Sequence, residues 1–190
     1  MSSSALLPLF SALKRPVIAA AAAGAGSAAV WTFGRDLLTS TGGLPERTTA
    51  VLWCLLGAGA VLGAVSGDAV RRWGLGRAWV VTALATAAGT ALFAVAASHA
   101  VTAELAGALF GGAYTALSGV LIAWAGGLRP DAVGRGTAVL FVALTTGQAL
   151  GALGTGMLIT RIGGPGAFLA AAALLMCAAA IAPDLRVRTP

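Results

Sequence analysis

Arg47-Thr-Thr-Ala-Val-Leu-Trp53 recurs farther along the chain as Arg135-Gly-Thr-Ala-Val-Leu-Phe141. Five of the seven positions are identical, and the last exchanges one aromatic for another. A second echo, at almost the same spacing, sets Arg72-Trp-Gly-Leu-Gly-Arg-Ala-Trp79 against Arg161-Ile-Gly-Gly-Pro-Gly-Ala-Phe168. The chain reads as one unit written twice. The fold then turns on how many membrane crossings each unit holds. An odd number obliges the two copies to run through the bilayer in opposite senses, which is how secondary transporters are often built.

Composition sets the medium. The 190 residues are 58% hydrophobic and 9% charged, far from the balance of a soluble domain. The class is an all-α polytopic membrane protein, and no ten-residue alternation suggests a membrane β-barrel. The net charge of +6 sits between apolar runs rather than in one patch. It reads as a topology signal, so the expected partner is the lipid bilayer and not nucleic acid. Cys54 and Cys177 both lie inside apolar runs. They are expected to be small buried hydrophobes, without metal-ligand or disulfide spacing, and no cofactor is implied.

A span needs roughly 20 apolar residues to cross about 30 Å of hydrocarbon. Six segments qualify: 17–38, 48–70, 78–98, 101–128, 136–160 and 162–183. Residues 1–16 are left as an interfacial lead-in with no signal-peptide order of charges, and 184–190 as a tail. The cations sort by side. Lys14, Arg15, Arg71, Arg72, Arg77, Arg129, Arg135, Arg186 and Arg188 fall on one side; Arg35, Arg47 and Arg161 fall on the other. The positive-inside rule puts both termini in the cytoplasm of a multi-pass cell-membrane protein, as an even number of spans requires. Each unit, 17–98 and 101–183, then holds three spans, and inversion follows from the count.

Glycines recur at four-residue spacing: Gly59, Gly63 and Gly67; Gly107 and Gly111; Gly147 and Gly151. In lipid, such small residues let helix backbones approach closely. Trp53, Trp73, Trp79 and Trp124 fall toward span ends and are expected in interfacial aromatic belts.

Three passages resemble the major facilitator superfamily of transporters, specifically its C-terminal six-helix half. The first is Gly67-Asp-Ala-Val-Arg-Arg-Trp-Gly-Leu-Gly-Arg77. It is similar to the family's cytoplasmic signature, with Gly67, Arg72 and Gly74 in place, Arg71 where the family has Asp, and Arg77 arriving late. Asp68 is a candidate substitute for the missing carboxylate, within reach of Arg72 at i,i+4. The second, Arg129-Pro-Asp-Ala-Val-Gly-Arg-Gly-Thr-Ala138, resembles the family's short loop before its eleventh span. The third, Gly147-Gln-Ala-Leu-Gly-Ala-Leu-Gly-Thr-Gly156, is similar to an antiporter glycine signature, with Ala152 at its proline position and Thr155 at its penultimate glycine. The resemblance implies two inverted three-helix repeats, half of the family's twelve spans, with residues 1–14 matching the linker between halves. It also implies alternating access to a small solute or drug, and hence a second six-helix bundle: a second copy or a separately encoded N-terminal half.

Ionisable groups inside a span are costly and therefore informative. Arg35 and Asp36 fall near the outer end of the first span, and Glu104 near the outer start of the fourth. Each is a candidate for substrate or proton coupling; the alternative is an interfacial anchor pair for Arg35 and Asp36, and a wet helix start favoured by the helix dipole for Glu104. No charge falls at mid-membrane. A midplane site must use Trp31, Tyr114, Gln148, Thr145 or Thr146, which suits a hydrophobic or weakly polar ligand. A membrane enzyme is not expected: Ser66 and the single histidine, His99, fall at opposite faces, and Asp68 has no facing aspartate. The reading from a different class is a non-transporting membrane scaffold or the remnant of a longer gene.

Overall fold

The computed structural model describes residues 6–64 and 66–183. The tail at 184–190 and the first residues of the lead-in lie outside them. Among the described residues all regular structure is helical. Helix α1 is Leu6–Asp36, closed by a π-helical turn over Leu37–Thr41. It starts well before residue 17, so the described part of the expected lead-in belongs to the first helix. Helix α2 is Glu46–Gly63, and a short α3, Ser66–Trp73, follows at an angle of 50°. The expected single span 48–70 is therefore broken near its end. Helix α4 is Leu75–Val95 and α5 is Ala100–Leu128. A 3-10 turn, Pro130–Ala132, leads to α6, Val133–Ala180. Arg129 grips Asp131 there through Nε at 3.1 Å and Nη2 at 2.9 Å, holding the exposed carboxyl well below its usual range, at about 2.

Four of these helices are long and apolar enough to cross a bilayer, five if α2 and α3 count together. At about 1.5 Å per residue, the 48 residues of α6 would extend far beyond 30 Å if straight. They do not run straight. Gly163 has φ 76° and ψ 166°, a conformation open essentially to glycine alone. The chain doubles back there: Gly151 before the break meets Ala25 of α1, and Ala171 after it meets the adjacent Gly26. Pro165 falls in the first turn of the second arm, where a missing N–H costs nothing. Gly74, between α3 and α4, has nearly the same geometry, φ 78° and ψ 158°. These two glycines occupy the same place in the second sequence echo.

Two crossings of parallel helices organise the bundle. A β-carbon on Gly59 or Gly63 of α2 would lie 2.1 or 2.2 Å from the carbonyl oxygen of Ala108 or Gly112 in α5. One on Gly111 of α5 would lie 2.0 Å from that of Leu56. In the other crossing, Gly147 and Gly151 of α6 stand in the same relation to Ala21 and Ala25 of α1, at 2.1 and 2.2 Å. Gly24 of α1 completes the set, 2.0 Å from the Leu144 oxygen. The glycine register thus does what its spacing suggests, with backbone on backbone and no room for a methyl group. Gly67 is the exception and has no close backbone neighbour.

Helix α4 and the second arm of α6 pack antiparallel. Trp79 Nε1 donates to the Ala178 oxygen at 3.0 Å, and the Phe93 and Phe168 rings lie 6.2 Å apart. Trp79 is fully buried, edge-on to Trp124 at 5.5 Å. Neither belongs to an interfacial belt; both are buried in the core, their rings packed against each other between α4 and α5. Thr82, Thr86 and Thr90 are buried along α4, each donating to the carbonyl one turn back. Their hydroxyls are thereby satisfied without a partner helix. The cysteines also depart from expectation: Cys54 and Cys177 are free thiols on exposed helix faces.

One apolar cluster, holding Leu13, Trp79, Trp124, Leu140 and Ala178, fills one end of the bundle. A second, holding Leu37, Leu38, Phe93, Phe110 and Phe168, fills the other. Lys14, Arg15, Arg71, Arg72, Arg77, Arg129 and Arg135 lie toward the first end, Arg35, Arg47 and Arg161 toward the second.

Candidate functional site

Four helices bring polar and aromatic side chains together. Tyr114 of α5 stacks on Phe110 one turn earlier, ring centres 5.7 Å apart and planes at 8°. Trp31 of α1 sets its edge against both, at 5.6 Å from Phe110 and 5.5 Å from Tyr114. Trp53 of α2 stacks on the other side of Trp31 at 6.1 Å. Gln148 of α6 closes the group, its Nε2 donating to Tyr114 Oη at 2.9 Å. Trp31 remains 40% exposed, so the cluster opens on the bundle surface and is not sealed in the core.

The local sequence explains the convergence. Gln148 is the neighbour of Gly147, so the close crossing of α6 on α1 carries its amide inward. Tyr114 lies within a turn of Gly111 and Gly112, which draw α5 against α2. Three of the candidate residues, Trp31, Tyr114 and Gln148, thus belong to one site. Trp53 and Phe110 complete it, so Trp53, expected in an interfacial belt, packs instead against Trp31 of α1. Phe110 carried a signal, an aromatic at i,i+4 from Tyr114; Trp53 carried another, as the last residue of the opening stretch. Thr145 is elsewhere, donating to the Phe141 and Val142 oxygens of its own helix. Thr146 is exposed on that helix.

Arg35 lies four residues beyond Trp31 on α1, about 6 Å along the axis. Its Nη2 pairs with Glu46 Oε1 at 2.9 Å, joining the ends of α1 and α2. Both partners are largely exposed, at 59% and 83%. Asp36 takes no part in the cluster; it accepts a hydrogen bond from Ser40 Oγ at 2.7 Å. Glu104 is half-buried at the start of α5 and makes no hydrogen bond or ion pair with any described residue.

The signature loop takes a different form from the one its spacing suggests. Asp68 pairs with Arg71 at i,i+3, not with Arg72. On α3 the i+3 side chain turns back over the aspartate, and Arg72 projects from the next face. Gly67 opens the loop helix and Gly74 makes the turn into α4. Arg72 and Arg77 are exposed and unpaired among the described residues.

The chain matches no protein-family model and no curated protein sequence.

Proposed function

We propose that this chain is a six-span half of a facilitator-type secondary transporter, and that the Trp31–Trp53–Phe110–Tyr114–Gln148 cluster contacts its solute. The observation that carries the proposal is the cluster itself, uncharged, open to the bundle surface at Trp31 and built by α1, α2, α5 and the first arm of α6. In this reading α2 with α3 is one span, and the arms of α6 are two. The spans number six, with both termini on the basic, cytoplasmic side.

The matched crossings support two inverted three-helix units. Gly59 and Gly147 stand apart by the spacing of Arg47 and Arg135, and so do Gly63 and Gly151. The pairing of the second span with the fourth corresponds, under exchange of the units, to the pairing of the fifth with the first. Gly74 and Gly163 correspond as turns.

The mechanism is alternating access. The cluster lies on one face and needs a second six-helix bundle as its opposite wall, supplied by another copy or by a separate N-terminal half. The ligand class is a small, weakly polar solute that stacks on indole and accepts or donates one hydrogen bond at Gln148. Arg35 and Glu46 tie the outer mouth.

The test is flux into proteoliposomes. Wild-type chain and the Trp31→Ala and Gln148→Ala variants would be compared over a panel of labelled neutral amides, sugars and aromatic drugs. The expected result is at least one solute whose entry exceeds that of empty vesicles and falls tenfold in both variants. A panel in which wild type and empty vesicles coincide overturns transport by paired copies of this chain.

A further inference from the structure

A cleft of about 440 Å³ opens at the basic end of the bundle, between the start of α4 and the residues that follow α6. Trp73, Arg77, Val80, Val81, Ala182 and Pro183 line it. Apart from the guanidinium of Arg77 these walls present almost only carbon. None of the elements that form it contributes a side chain to the Trp31 cluster, so it is a separate site.

The charge around it is one-sided. Leaving Arg15 aside, six described cations lie toward this end against two described carboxylates, Asp68 and Asp131. Arg71 takes the first and Arg129 takes the second. Arg77 and Arg72 have no anionic partner among the described residues. The turn at Gly74 sets Trp73, half exposed, beside the mouth that Arg77 also borders. An apolar channel with a cation and an indole at its rim is complementary to one kind of molecule: a long hydrocarbon chain ending in a negative headgroup. Basic pockets on the cytoplasmic side of membrane bundles take anionic lipid headgroups on this principle, and an indole sits by preference at headgroup depth.

We propose that this cleft is a binding site for an anionic phospholipid, with the phosphate on Arg77 and one acyl chain along Val80, Val81, Ala182 and Pro183. The inference rests on the chain lying in a bilayer and is independent of transport.

The full chain, purified in a neutral detergent, would be examined by native mass spectrometry with phosphatidylglycerol or with phosphatidylcholine of the same chains. Phosphatidylglycerol is expected to be retained and phosphatidylcholine lost. Arg77→Gln should lower phosphatidylglycerol retention about fivefold, the worth of one basic residue near an anionic surface. Val81→Trp should lower it too by filling the chain's path; Val81 is 46% exposed, so the ring can be accommodated. Arg47→Gln, at the opposite end, should change nothing. Equal retention of the two lipids overturns the proposal, as does an Arg77→Gln result equal to that of Arg47→Gln. Full binding by Val81→Trp overturns it as well, and sn-glycerol 1-phosphate, the head without chains, should fail to displace the lipid.

Discussion

Gln148 Nε2 donates to Tyr114 Oη at 2.9 Å, the one side-chain hydrogen bond between α5 and α6 among the described residues. It joins the two crossings at the place where the aromatic cluster opens outward. Inter-helix hydrogen bonds in membranes are worth little on average, about 0.6 kcal/mol. Gln148→Leu and Tyr114→Phe should each cost about that in unfolding free energy, and the double variant no more than either alone. A steric-trapping measurement checks this; additive losses would mean that the two side chains act separately.

The glycine crossings give a stricter expectation. Gly59→Ala and Gly147→Ala each drive a methyl group into a carbonyl oxygen, 2.1 Å away in both cases. Overpacking of this kind costs about 1–3 kcal/mol. Gly57→Ala and Gly154→Ala enter open space and should be neutral or slightly stabilising. Thermal melts of the four variants in detergent decide the matter. If Gly59→Ala is tolerated while Gly147→Ala is not, the equivalence of the two crossings fails.

Gly74 and Gly163 share a backbone conformation that residues with a side chain avoid. Alanine at either should cost about 1–3 kcal/mol. The two positions are far apart, so the losses should add within about 0.5 kcal/mol in the double variant. Unfolding of the two single variants and the double variant is the check.

The Arg35–Glu46 pair is exposed, and pairs of this kind contribute about 0.2–1 kcal/mol. Arg35→Gln should therefore leave stability nearly unchanged. Its value lies in separating roles. A lost proton-coupled flux in Arg35→Ala and Asp36→Asn with an unchanged melt marks coupling at the mouth. Unchanged flux in both leaves an anchor.

Helix existence was legible because apolar runs of span length are hard to disguise, and glycine register was legible because only glycine lets two backbones touch. Which face of each helix turns inward was much less so. Helices such as α4 and α5 are apolar all round, so no polar stripe marks an outside. Trp79 and Trp124 therefore looked like belt residues near span ends, yet they meet in the core. Cys54 and Cys177 looked buried, yet they face outward. The same ambiguity hid Trp53 and Phe110 from the site: their contact with Trp31 depends on the angle at which α1 meets α2 and α5. Glu46 carries no sign of its role in sequence for the same reason, since its partner Arg35 comes from another helix. The break between α2 and α3 did have a local signal, Ser66-Gly67-Asp68, a turn dipeptide followed by an acidic first-turn residue, but it lies inside a run long enough to read as one span.

The turns at Gly74 and Gly163 have a mechanical consequence. Each is a joint one residue long, with no slack to take up a displacement. The helices on either side are thus tied end to end through a single glycine. One joint stands at each end of the bundle, and the stacked rings and touching backbones brace the length between. A substitution at either joint is therefore felt by two helices at once.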